Sequence, residues 1–210
     1  MSYKFRDHIK NNRFVTTHVF TEDKFIYMRP GRSASSNIMR TIGGRNEEVS
    51  RPYYRQSGTS EWLENTTDDE IFNDYFIFTF VRNPYPRLVS AWIALKRKGY
   101  ANTDFKRFVM EEGDGHLINS DGDFVNDHWY PLCNYIEFSS GETFVNFIGK
   151  VENIEADWDN VKYNIKRSNT KITANRTTTN RDYKKYYDAE TLLRVSQLYK
   201  RDLELLDYGF

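Results

Sequence analysis

Several things are scarce in this sequence. It holds one cysteine, Cys133, in 210 residues. A single thiol excludes an internal disulfide framework and fits a reducing compartment. Neither sign of charge prevails: 30 Lys and Arg face 30 Asp and Glu. That balance argues against bulk nucleic-acid binding and against a polybasic membrane anchor. No apolar run approaches the ~18 residues needed to span a bilayer. Residues 1–14, MSYKFRDHIKNNRF, contain no apolar stretch of the signal-peptide kind. The expectation is a soluble, cytoplasmic protein with neither a membrane nor a nucleic acid as partner. None of the four histidines shares metal-ligand spacing with the cysteine, so no zinc site is expected. Repeats and low-complexity linkers are absent too, and nothing in the chain specifies an oligomeric state.

Aromatic residues are abundant, with 15 Phe, 15 Tyr and 4 Trp. Such residues fill cores and, in excess, line substrate clefts. The length suits one domain, residues 1–210, around a continuous core. Residues 1–22 are polar and ambiguous. Lys24–Met28 reads as a strand bounded by a Pro-Gly turn. A helix is expected from Ser35 or Ser36, either of which can cap it, to Gly43-Gly44. Residues 45–58 read as irregular, with short helices near Ser60–Glu64 and Asp68–Asn73. Tyr75–Pro84, YFIFTFVRNP, is apolar on both faces, as a central parallel strand is. A helix from about Pro86 to Gly99 and another at Asp104–Glu111 follow from the spacing. YIEF and TFVNFIGKVEN read as strands joined by a Ser-Ser-Gly turn. Asp157–Arg167 and Asp188–Leu206 read as amphipathic helices. Alternating strands and helices predict an α/β fold with a largely parallel sheet.

Two motifs carry the chemistry. In RPGRSASS, small residues let the backbone approach an anion at a helix N-terminus, where N–H groups and the helix dipole favour negative charge. Ser33, Ser35 and Ser36 add hydroxyls, and Arg32 adds a planar cation suited to phosphate. The plain alternative is a capped turn. In FTFVRNPYPRLVSAW, Arg82 ends the strand and Ser90 lies on the following helix. Both point to a second anion at the carboxyl edge of the sheet, where open α/β folds bind ligands. The plain alternative for Arg82 is a surface ion pair.

MRPGRSASSNI and FVRNPYPRLVSAW together resemble the 5′-phosphosulfate and 3′-phosphate motifs of sulfotransferases that use 3′-phosphoadenylyl sulfate. Arg82, Asn83, Pro84, Arg87, Leu88 and Ser90 fit the second motif closely. In the first, Gly31 stands where many members carry lysine, and RSASS is similar to the Arg-Ser-Gly-Ser-Ser form of the carbohydrate (Golgi-type) branch. HWYPLC, FIGKVENIEADWDNV and the segment ending in Tyr-Gly-Phe also resemble that branch. The resemblance implies a P-loop-like three-layer fold with a central, mostly parallel sheet flanked by helices. It implies 3′-phosphoadenylyl sulfate as co-substrate, with adenosine 3′,5′-bisphosphate as product. The acceptor would be a hydroxyl, of a glycan or small glycoconjugate. Arg32, Ser33, Ser35 and Ser36 would hold the phosphosulfate in a loop that includes Gly31, Ala34 and Asn37, with Arg29 the other candidate for the displaced lysine. Arg82 and Ser90 would hold the 3′-phosphate, and Asn175, Arg176 and Thr178 would close over the nucleotide.

Sulfuryl transfer, like phosphoryl transfer, depends on positioning and electrostatics. Kinase loops use a lysine with Mg²⁺, and often an acidic residue at a strand end. Arginine holds that place here, which predicts transfer without metal. His128 is the first candidate for the general base; Glu47 and Glu48 are the others, and a packed histidine beside Trp129 is the plain alternative. Tyr53, Tyr54, Arg55, Trp129 and Tyr130 are candidates for an acceptor cleft, or ordinary core and surface aromatics. Glu152 and Asn153 read as structural. Two other functions fit the sequence. One is a Mg²⁺-dependent nucleotide or small-molecule kinase with an atypical loop. The other is a non-catalytic nucleotide- or glycan-binding descendant.

Overall fold

The structure, a computed structural model, describes residues 5–12, 14–43, 48–50, 65–99, 103–111, 117–118, 124, 126–173 and 182–210. By internal contacts the chain divides into two compact units, Met1–Val81 with Asn134–Ala174, and Arg82–Cys133 with Asn175–Phe210.

The first unit holds the sheet. Its strands are β1 (Thr17–Phe20), β2 (Phe25–Met28), β3 (Glu48–Ser50), β4 (Phe76–Val81) and β5 (Phe147–Lys150), in spatial order β3-β1-β2-β4-β5. β2, β4 and β5 pair in parallel, as the alternating pattern predicts. β1 and β3 extend the sheet antiparallel. Neither was legible in the sequence: β1 lies in the ambiguous segment, and β3 lies in the stretch read as irregular. β2 and β4 are buried along nearly their whole length because they are apolar on both faces. Met28 lies opposite Thr79, whose hydroxyl donates to the Met28 carbonyl at 2.9 Å. Gly149 of β5 is opposite Phe80, and a Cβ there would lie 2.4 Å from the Phe80 ring, so only glycine permits this approach.

Helices α1 (Phe5–Asn11), α2 (Ser35–Ile42), α3 (Asp68–Asp74) and α6 (Ile154–Asn164) belong to this unit. A capping box between Thr67 and Glu70 and an acidic first turn start α3 where expected. α2 and α6 bury Ile38, Ile42, Ile154, Trp158 and Val161 against Phe25, Tyr27, Phe78 and Phe80. The Asp157 carboxylate receives the Lys150 amide at 2.6 Å and the Asn153 amide at 2.9 Å, so Asp157 ties β5 to α6. Glu152 is an exposed residue of the intervening turn. YIEF is not a strand. A single bridge joins Glu137 to Thr143 around a turn at Gly141 (φ 85°), and Phe138 and Phe144 instead pack on His8.

The second unit is helical: α4 (Pro84–Arg97), α5 (Phe105–Met110), α7 (Ala189–Leu198) and α8 (Lys200–Leu206). Leu88, Val89 and Trp92 of α4, Phe105 and Phe108 of α5, and Val195 and Tyr199 share a core with Trp129. The expected helix over 188–206 is broken at Tyr199, whose hydroxyl donates to the Trp129 carbonyl. Among the described residues, no helix is long and apolar enough to cross a membrane.

Candidate functional site

The β2–α2 loop is built by backbone geometry. The Arg29 amide donates to the Thr16 carbonyl at 2.8 Å, which extends the β1–β2 pairing one residue past Met28. The chain then turns, with Arg32 (φ 62°) and Ala34 (φ 56°) both left-handed. Such a conformation costs a non-glycine residue roughly 1–2 kcal/mol. Ala34 is the N-cap of α2; its carbonyl accepts from the amides of Asn37 (2.9 Å) and Ile38 (3.1 Å). Neither Ser35 nor Ser36 is the cap, contrary to the sequence reading: Ser35 opens the helix, buried, and Ser36 is exposed. Alanine has no capping oxygen, so the N-cap residue offers this end no side-chain acceptor. Without a capping side chain at residue 34, amides of the first turn can meet an outside acceptor. Between the two left-handed residues, Ser33 is 0 % exposed, and its Oγ has no hydrogen-bond partner among the described residues.

Arg29 has a neighbour that sequence reasoning missed. Its Nη1 lies 3.4 Å from Nε2 of His18, a β1 residue buried beside the Tyr27 ring. A guanidinium only donates, so in this contact Nε2 accepts and the ring proton sits on Nδ1. Asn37 has a structural bond: its side-chain amide donates to the Thr173 carbonyl at 3.0 Å. Glu48 lies on β3 opposite Val19, two residues back from the row Ser50–Thr17–Met28 and two strands from β2. That register sets its backbone ~10 Å across the sheet from β2. Glu47, Asn175, Arg176 and Thr178, and the cleft candidates Tyr53, Tyr54 and Arg55, lie outside the described residues.

In the second unit, Arg82 leads directly into α4. Asn83 caps the helix, its Oδ1 accepting from the Tyr85 amide at 3.0 Å, and Pro84 opens it two residues earlier than the sequence suggested. Arg82 is 5 % and Ser90 6 % exposed, so Arg82 is not a surface ion pair. Arg87 is 1 % exposed; its Nη1 donates to the Tyr130 carbonyl at 2.9 Å, and its charge acts on Asp202. Asp202, fully buried, accepts from the amides of Leu132 (2.7 Å) and Cys133 (2.8 Å). Burial pushes its carboxyl upward, against those two amides and the Arg87 charge. Val195, Tyr199, Asp202 and Leu206 are all buried at helical spacing. A carboxylate on an apolar stripe is the signal that would have revealed this network.

The same network fixes residues 129–133 and so presents His128. Its side chain is 37 % exposed, so it is not the packed histidine of the plain alternative. Nδ1 lies 2.7 Å from Oδ1 of both Asp127 and Asn126, and the His128 amide donates to the same Asn126 oxygen at 2.9 Å. Both oxygens accept, so a neutral ring carries its proton on Nδ1 and presents Nε2 as a base. Trp129 is buried, its Nε1 bonded to the Leu117 carbonyl at 2.9 Å, and serves the core. Among the described residues, no group of His, Cys, Asp and Glu has metal-site geometry.

These features define an α/β protein with a strand–loop–helix turn around a buried serine in one unit, and a buried arginine, a buried serine and an oriented histidine in the other. The chain belongs to the sulfotransferase family: the model of the family described as "Sulfotransferase family" matches residues 11–209. It is 26 % identical to carbohydrate sulfotransferase 14 of Danio rerio over 170 residues, 67 % of this chain and 46 % of that protein. To the Homo sapiens carbohydrate sulfotransferase 14 it is 24 % identical over 181 residues, 73 % of this chain and 48 % of the relative. It is 31 % identical to an uncharacterized protein of Archaeoglobus fulgidus over 97 residues, 45 % of this chain and 71 % of that one. The chain thus matches about half the length of the carbohydrate sulfotransferases. No solved structure gives a significant match.

Proposed function

We propose that the protein moves a sulfuryl group from 3′-phosphoadenylyl sulfate to a hydroxyl of a carbohydrate, on a P-loop-like fold and without a metal. The observation that carries this reading is the β2–α2 loop: a buried Ser33 hydroxyl with no partner among the described residues, next to an uncapped helix N-terminus. The relatives named carbohydrate sulfotransferase support the acceptor class.

The donor supplies an activated sulfuryl group with two phosphates to grip. The loop amides, Ser33 and an arginine, Arg32 or Arg29, would hold the 5′-phosphosulfate and stabilise charge on its leaving phosphate oxygen. Arg82 and Ser90 would hold the 3′-phosphate. His128 Nε2 would accept the acceptor's proton as the new oxygen–sulfur bond forms and the old sulfur–oxygen bond to the phosphate breaks. Arg82 at a strand end, where a kinase often carries an acid for its metal, supports transfer without metal. The test is calorimetric titration with adenosine 3′,5′-bisphosphate and with adenosine 5′-monophosphate, followed by assays of labelled donor against a panel of sugars with EDTA present. Strong preference for the bisphosphate and chelator-resistant transfer are expected. Equal affinity for the two nucleotides removes Arg82 and Ser90 from the site, and Mg²⁺-dependent ATP turnover overturns the reaction class.

A further inference from the structure

The Asn83 side chain is held at both ends. Its Oδ1 caps α4 through the Tyr85 amide, and its Nδ2 donates to the Gly209 carbonyl at 2.7 Å. A carbonyl can only accept, which fixes the orientation of the amide. The next residue, Phe210, packs edge-on against Tyr85 (5.0 Å between ring centroids), Tyr187 (5.4 Å) and Tyr183 (5.6 Å). Lys184 lies 4.8 Å above the same ring. Tyr187 closes the arrangement: it is half-buried, and its hydroxyl donates to the Tyr85 carbonyl at 3.0 Å. Phe210 itself is 40 % exposed. A half-exposed ring with four such contacts, one to the first turn of α4 and one to the Tyr187 that bonds that turn, is poorly explained by core filling alone.

Arg82 is joined to that turn by a single peptide bond. Whatever fixes the Asn83 backbone (φ −48°, ψ 124°) fixes where the Arg82 side chain starts relative to Ser90. We infer that Gly209 and Phe210 are positioning residues for the Arg82–Ser90 anion site, locking the α4 cap from outside the helix. This rests on the proposed reading of Arg82 and Ser90 as the 3′-phosphate site. The segment need not touch the nucleotide. It removes the freedom of the Arg82–Asn83 turn before the nucleotide arrives, which raises affinity through preorganisation.

Two variants test it, each titrated with adenosine 3′,5′-bisphosphate and with adenosine 5′-monophosphate. Phe210→Ala removes the ring. Asn83→Ser keeps an oxygen to cap the helix but removes the amide donor to Gly209. Both are expected to weaken bisphosphate binding roughly tenfold or more while leaving monophosphate affinity unchanged, because sub-ångström misplacement affects the 3′-phosphate contacts alone. Phe210→Tyr is expected to restore wild-type affinity. Equal losses for both nucleotides in Asn83→Ser would assign the segment to general stability, and unchanged affinities would remove it from the site. Should Phe210→Ala fail to fold, Asn83→Ser decides the matter alone. A wild-type protein that does not distinguish the two nucleotides defeats the underlying reading instead, before any variant is made.

Discussion

Ser33→Ala should shift the stability of the free and the nucleotide-bound protein in opposite directions. The Ser33 side chain is fully buried, and its hydroxyl has no partner among the described residues. A buried hydroxyl without a hydrogen bond costs about 1–3 kcal/mol, so its removal should stabilise the free protein by about 1 kcal/mol once the small void left behind is deducted. For a chain of this size that raises Tm by about 2–4 °C. If the loop binds phosphate, the same hydroxyl donates to a charged oxygen in the complex, worth about 1.5–3 kcal/mol. Its loss should raise Kd for adenosine 3′,5′-bisphosphate about 10- to 150-fold.

With nucleotide at about 100 times the wild-type Kd, the wild type gains about 2.7 kcal/mol, whereas a variant with ~30-fold weaker binding gains about 0.9 kcal/mol. Adding the gain of about 1 kcal/mol in the free state leaves the variant about 0.8 kcal/mol behind the wild type in the complex. Scanning calorimetry with and without nucleotide therefore reads a reversal: the variant melts higher when free and lower when bound. A lower Tm in the free protein would mean that the hydroxyl is satisfied within the fold. A higher Tm in both states would mean that Ser33 never meets the nucleotide, and the anion loop would have to be abandoned.

Other expectations concern the histidines. His128→Ala should lower kcat by about 10²–10⁴-fold, with nucleotide Kd nearly unchanged in the same calorimetry; a mild loss would shift the base role to Glu47 or Glu48. His8, whose Nε2 lies 2.8 Å from the Asn134 carbonyl and Nδ1 3.2 Å from the Asn12 amide, has its pKa lowered, chiefly by burial. The carbonyl receives the Nε2 proton and Nδ1 accepts, so the folded ring is neutral. The unfolded chain takes up the proton first, near pH 6.5, so this contribution is intact above that pH and is lost as pH falls through the lower folded value. His8→Gln should flatten the pH dependence of chemical denaturation between pH 7 and pH 5; an unchanged slope would assign the titration elsewhere.

What the sequence disclosed follows from how local each signal is. β2, β4 and α3 are set by their own residues: largely apolar runs in the first two, a capping box in the third. β1 is four residues long and includes a histidine, and it becomes a strand only because β2 and β3 flank it. YIEF has the composition of a strand but forms one bridge, since Phe138 packs against His8 and Phe144 instead of continuing a ladder. The helix over 188–206 is amphipathic throughout, and nothing in its periodicity announces the break at Tyr199, where a long-range bond to the Trp129 carbonyl intervenes. The candidate site divides in the same way. Ser33, Arg82 and Ser90 stand in contiguous motifs. His18 beside Arg29, and Asp202 with Arg87, are brought together only by the fold.

The loop also alters the question of which arginine replaces a missing lysine. Residue 34 is glycine in the related Arg-Ser-Gly-Ser-Ser form, and here it is alanine at φ 56°. Glycine takes that conformation freely, whereas alanine does not. Arg32 carries the same strain at φ 62°. Two left-handed non-glycine residues astride one buried serine are costly to keep, and strain of this kind gathers where a backbone must meet a ligand. The loop is therefore shaped by the backbone, and on the proposed reading Ser33 and amides at the start of α2 would be its donors. On the proposed reading a cation would neutralise charge without forming the loop, so Arg29, beside His18, and Arg32, within the turn, need not compete for one role. On this argument Ala34→Gly should stabilise the free protein and leave nucleotide affinity intact, whereas a bulkier β-branched residue at position 34 should weaken both.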